Sequence, residues 1–287
     1  MVGSGIADDA GRDPLRLPEE LWRGAGQCVP MADHEAAAAG EGEPSDARFE
    51  GGVTVRTQRE LDRALRAGEV RLIVVEGAGL VVWRPPAGEA WIVATSDVRV
   101  HAGRVYVRGD VHVTAAAVGR VNAEGRARVT AGGRSYVYAH QHARVTAYDQ
   151  ACVVAYDRVE VEADGSAQVN AHDTARVVAS GEAEVYVSGR NRVVARDQVY
   201  VSAHGHARVE ADGSATVHAH DDVQVTSRGR AQVHAYDRTQ VRAGGRGKVW
   251  AGDRARVAAT DSTTVVCEGS AIRILASDSV TVEGFWR

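Results

Sequence analysis

From Gly103 to Ser270 the chain repeats an eight-residue pattern 21 times without a gap. With Ala143 as position one, position three is Val in all 21 copies. Position five is Ala in 17, with Val107, Val187, Ser227 and Cys267 as the exceptions. Position one is mostly small or Val, and positions two, four, six and eight are mainly polar or aromatic. Position seven is Gly in eleven copies and Asp in eight. Alternation with period two predicts strands, and eight residues are not a whole number of helical turns. Val favours a pleated backbone, while Gly and Asp tolerate a corner. Each octad therefore reads as one short strand and one tight corner, with small–Val–Ala pointing inward. A unit this short cannot bury its own face, so the copies must stack. The predicted fold class is all-β, a parallel β-solenoid.

The outward letters set the size of the coil. Numbered from Gly103, the odd octads carry 16 aromatic or His residues in 44 outward places. The even octads carry two in 40, His112 and Tyr148. Sorting by threes gives no such separation. Two octads per coil, or 16 residues, are therefore expected, with two unlike faces. One is an aromatic and His face. The other carries Thr at position four and Arg at position two: Arg128, Arg144, Arg176, Arg192, Arg208 and Arg256.

The flanks divide the chain further. Residues 1–50 are rich in Gly, Ala, Asp, Glu and Pro and read as mostly disordered, with one short helix at Pro18–Gly24 that carries Trp22. Residues 51–102 read as a capping region: strand, helix, strand. Thr57 and Glu60 form a capping box, Leu61, Ala64 and Leu65 follow helical spacing, and Gly68 ends the helix. The solenoid then runs over 103–287. Its phase slips by one residue after Ser270, and Phe285 and Trp286 are placed to cover the last coil.

Composition adds little. A formal charge of −4 in 287 residues does not point to nucleic acid. Lys248 is the only lysine beside 33 arginines. Cys28, Cys152 and Cys267 lie far apart, with no CxxC pair or disulfide framework, so a reducing, cytoplasmic location is expected. There is no apolar leader or membrane-spanning run, so no membrane partner is expected either.

The corner Asp residues invite a calcium reading, but calcium β-rolls use nine-residue repeats with two glycines and an Asp in each copy. Corner chemistry, an Asp side chain bonded to nearby backbone N–H groups, is favoured. A 16-residue coil sets His204 beside His220 and His218 beside His234, a candidate metal site of low rank beside a plain His ladder. If these imidazoles crowd, they should resist double protonation, which would make the patch pH-sensitive. Tyr106, Tyr138, Tyr156, Tyr186, Tyr236 and Trp250 form the candidate binding face, for a protein or glycan partner. The interrupted Thr column does not favour ice binding. No nucleophile elbow, phosphate loop or zinc-protease motif is present, and the acidic residues are not clustered as in pectate-lyase-type enzymes. A catalyst is not expected, and no cofactor is implied.

The repeat, with its "AYDxA" and "AxVxA" phrases, resembles octapeptide-repeat β-solenoid proteins of actinobacteria and their phages, over about 60% of the chain. That resemblance implies a solenoid. A looser resemblance is to bactofilin-type β-helix polymers, which implies end-to-end association. The expected function is a non-catalytic scaffold that self-associates or presents its aromatic face. A glycan-binding or phage-fibre-like module is the alternative, and a β-helix polysaccharide-active enzyme ranks third.

Overall fold

A computed structural model describes residues 52–88, 90–269 and 271–284. The N-terminal segment 1–50, its expected helix, and the expected caps Phe285 and Trp286 lie outside the described residues. The described chain is a parallel β-solenoid. Its 28 strands form a 15-stranded and a 13-stranded sheet and, after the first strand, alternate between them, in about 14 coils. At about 4.8 Å per coil the stack is roughly 65 Å long.

The register confirms the 16-residue coil. Val121, Val137, Val153, Val169 and Val185 are successive partners on the larger sheet. Val129, Val145, Val161 and Val177 are partners on the smaller one. The odd octads thus build one face and the even octads the other. Position three and five residues are buried along the whole repeat and form one continuous core. Val and Ala suit this core because they are short enough for the two sheets to close on each other without a filler. The expected slip is present, since Arg256 pairs with Arg273 and Thr264 with Thr281, both 17 residues on. Before Gly103 the spacing is irregular: Leu72 pairs with Trp91, Leu80 with Val98 and Ile92 with Val105.

The corners explain why Gly and Asp exchange at position seven. Every position-seven residue from Gly109 to Asp261 has a left-handed backbone, including Ala117 (φ 55°), Gln141 (φ 60°) and all eight Asp residues. Gly adopts this region freely and Asp more readily than most. The ladder bonds continue around the corner, as in Tyr156 N–H to Ala139 O (2.9 Å) and Arg158 N–H to Gln141 O (3.0 Å). The position-seven N–H stands outside that ladder. Each of the eight corner carboxylates accepts it from the residue 16 places earlier. Gln141 donates to Asp157 at 2.9 Å, Gly205 to Asp221 at 2.9 Å and Gly245 to Asp261 at 2.8 Å. The same bond joins the remaining five. The expected bond to a nearby backbone is therefore a bond to the neighbouring coil.

Helix α1 (Gln58–Arg66) closes the N-terminal coil. Its capping box is present: Thr57 Oγ1 accepts from Glu60 N–H, and the Glu60 carboxylate accepts from Thr57 N–H. Leu61, Ala64 and Leu65 are buried in the core beside Val55 and Val82. The helix ends at Arg66 with an extended Ala67; Gly68 does not adopt the left-handed turn that would make it the stop signal. The Gln58 amide is also placed to act on the first strand of the smaller sheet, Leu80–Val82. It accepts from Val81 N–H and donates to Val81 O, both at 2.9 Å. This one side chain occupies both groups that Val81 presents at the sheet edge.

Candidate functional site: the ring face

The larger sheet positions the aromatic and His residues as columns along the solenoid, because residues 16 apart stand directly over one another. One column at position six stacks His140, Tyr156 and His172, with centroids 4.8 and 5.0 Å apart and planes within 16°. A second stacks His204, His220 and Tyr236 at 4.8 and 5.0 Å. A third, at position four, stacks His218, His234 and Trp250 at 4.4 and 4.3 Å, with planes within 8°. Lys248 Nζ stands 4.8 Å from the Trp250 ring. Tyr186 meets Tyr200, and Tyr200 meets His218. Tyr138 meets Tyr136, and Tyr106 meets Trp91.

The six rings expected to form one binding face therefore divide among several patches. Asn122, Val154, Asn170 and Ser202 interrupt the position-four column. The other face is nearly free of such stacks, as expected. Tyr148 lies there over Gly132, where a Cβ would approach its ring to 2.3 Å. Sequence reasoning missed His140, His172, Tyr136 and Tyr200 as site members. The 16-residue spacing of His140 and His172 from Tyr156 could have found those two, whereas Tyr136 and Tyr200 meet their ring partners at other spacings. It also missed Trp91, which lies before the repeat, and a stacked pair on the smaller sheet, Trp83 with His101.

Stacking along the solenoid has a chemical consequence. The ring faces are turned toward each other, so a ligand lying on the sheet meets ring edges and polar tips. A flat sugar or base stacks on an exposed ring face, and within these columns the faces are already covered. The four histidines considered for metal are likewise stacked in pairs. Their in-plane lone pairs lie in parallel planes and do not converge on one point. Among the described residues, no group of three or more His, Cys, Asp and Glu is arranged to hold a metal ion.

Burial sets the protonation of this face. It lowers the pKa of His172, His204, His220 and His234 below the usual value of 6.5, and takes His218 down to about 4. Charge on neighbouring imidazoles adds to the effect at His218 and His220. Asp237 and Asp221 oppose it at His204 and His220. Burial also raises the tyrosines, Tyr138 to about 12 and Tyr136, Tyr156, Tyr186, Tyr200 and Tyr236 in the same direction. These shifts favour the neutral forms of His172, His204, His218, His220 and His234 and of the tyrosines at neutral pH.

Cys152 and Val154 are buried on this face, although both occupy outward positions. Cys152 is disulfide-bonded, whereas Cys267 is free and buried. No helix among the described residues is long and apolar enough to cross a membrane. No protein-family model, curated protein or solved structure matches the chain.

Proposed function

We propose that this protein is a non-catalytic structural scaffold whose rigid solenoid presents its ring face to a protein surface. The observation that carries this reading is the confinement of the long stacked ring columns to one sheet. A ladder that only stabilised the stack would be useful on both sheets. Stacked rings have also given up side-chain freedom before a partner arrives, which lowers the cost of association, and aromatic residues are favoured at interface centres. The covered ring faces weigh against the glycan-binding alternative. The corner carboxylates are engaged by backbone N–H groups, which weighs against an acid–base enzyme built on them.

A second reading, end-to-end self-association, has one observation in its favour. In the last described coil the inward-register Val282 is 44% exposed, whereas its partner Val265 is 0% exposed, and Leu275 is 78% exposed. Helix α1 covers the opposite end and Gln58 occupies the edge groups of Val81, so that end does not offer a free edge to the last coil of another copy, and head-to-tail filaments are disfavoured.

Electron microscopy and sedimentation of the purified chain test both readings. Ordered assemblies that Tyr138→Asp, Tyr186→Asp and Trp250→Asp disperse, with the fold intact by circular dichroism, support the ring face as the contact surface. Assemblies broken instead by Val282→Asp support the end. Monodisperse short rods that bind glycans would remove the scaffold reading.

A further inference from the structure

The smaller sheet carries a shallow concavity of about 540 Å³ lined by Thr226, Arg228, Arg242, Gly244, Ala258 and Thr260, among others. It exists because two outward positions lack bulk. Arg242 stands between Thr226 and Ala258 in the position-four column. Gly244 is the bare floor, where an added Cβ would come within 3.1 Å of Asp261 and 3.3 Å of Thr260.

Three arginines elsewhere on this sheet have carboxylate partners, while Arg176, Arg208 and Arg256 have no ion pair among the described residues. Arg128 pairs with Asp110 at 2.9 Å, Arg144 with Glu160 at 3.1 Å and Arg192 with Glu210 at 2.8 Å. Neither Arg228 nor Arg242 has an ion pair among the described residues. The one carboxylate of the lining, Asp261, already accepts the Gly245 N–H at 2.8 Å. The surroundings on this sheet are basic too: the octads at 223–230, 239–246 and 255–262 carry five Arg against one Asp, in a chain whose formal charge is −4.

We propose that this concavity binds a tetrahedral oxyanion of the phosphate type, free or as a small monoester. Two guanidinium forks offer parallel N–H donors that match phosphate oxygens. The Thr226 hydroxyl stands beside them as a further donor, while Thr260 Oγ1 donates to Ala243 O at 3.4 Å. A doubly charged tetrahedral anion meets more of these donors than a planar carboxylate does, and its charge offsets two unpaired guanidiniums. The site lies on the sheet opposite the ring face and is independent of the scaffold reading.

Isothermal titration with inorganic phosphate at fixed ionic strength tests it, with glycerol phosphate in a second arm and chloride as the control salt. Binding should weaken at least tenfold in Arg242→Gln and in Arg228→Gln. It should vanish in Gly244→Leu, which fills the floor while keeping both charges. Arg144→Gln, on the second concavity of the same sheet, should bind as the parent does. Tighter binding of glycerol phosphate assigns the site to a monoester, and tighter binding of inorganic phosphate to the free ion. No binding of either, or equal binding by the parent and the Arg228→Gln/Arg242→Gln double variant, overturns the proposal. All these side chains are outward, so circular dichroism should be unchanged in every variant.

Discussion

At the scale of the residue, the corner position poses two separate requirements. It must tolerate a left-handed backbone, and its N–H needs an acceptor outside the ladder. Gly meets the first, and Asp meets the first while serving the N–H of the coil before it. Asp157 shows both roles, since it accepts from Gln141 and donates its own N–H to Asp173. Three substitutions separate the terms. Asp157→Asn keeps an acceptor and the tolerance for this backbone, and should be nearly neutral. Asp157→Gly loses only the acceptor and should cost about 1 kcal/mol. Asp157→Ala loses the acceptor and adds left-handed strain, for about 2–3 kcal/mol in total. Urea denaturation gives the order, and a smaller loss for Ala than for Gly would refute the account.

At the scale of the element, the N-terminal cap combines apolar cover with edge satisfaction. Thr57→Ala removes the helix cap and should cost about 1 kcal/mol. Gln58→Leu keeps the bulk but strips Val81 N–H and O of partners, and should cost a further 1–3 kcal/mol. Hydrogen exchange should report the second change at Val81 itself. In the body of the solenoid, Val193 is wholly buried between Val177 and Val209. Val193→Asp would bury a carboxylate without a partner, at several kcal/mol. Because each coil touches only its neighbours, exchange should rise first in the coils around Val193 and fall off along the stack. Uniform loss of protection would contradict that locality.

At the scale of the whole molecule, the half-buried His columns couple stability to pH. His172, His204, His218, His220 and His234 have folded pKa values below their unfolded ones, so the unfolded chain binds more protons as the pH falls. Their contribution is fully present above about pH 6.5 and is lost toward about 4, the value for His218. The melting temperature should therefore fall over that window. NMR titration should place the His218 midpoint far below 6.5, and should keep it low in His234→Phe because burial is the larger cause. The tyrosines act in the opposite direction of pH. Their folded values are raised, so their contribution holds below about pH 10 and is lost above it, with Tyr138 ionising near 12. Phenolate absorbance at 295 nm should lag the model curve; a normal curve would mean the rings are solvated.

The repeat by itself determined the strands, the inward letters, the 16-residue coil and the division into two unlike faces. These follow from periodicity, because residues 16 apart must share a column whatever their rotamers. The capping box was legible for the same reason, being local in sequence. The rest depended on contacts between coils that no period specifies. Only the tertiary structure decided that the corner carboxylates reach across to the preceding coil. The orientation of the rings was decided there too, with faces turned inward along each column and edges outward. So was the irregular stacking before Gly103, where strand spacing no longer follows the octad, and the pairing of Gln58 with Val81. The concavity at Gly244 belongs to this second group: it arises where a bare position in one coil meets small and basic neighbours in the next.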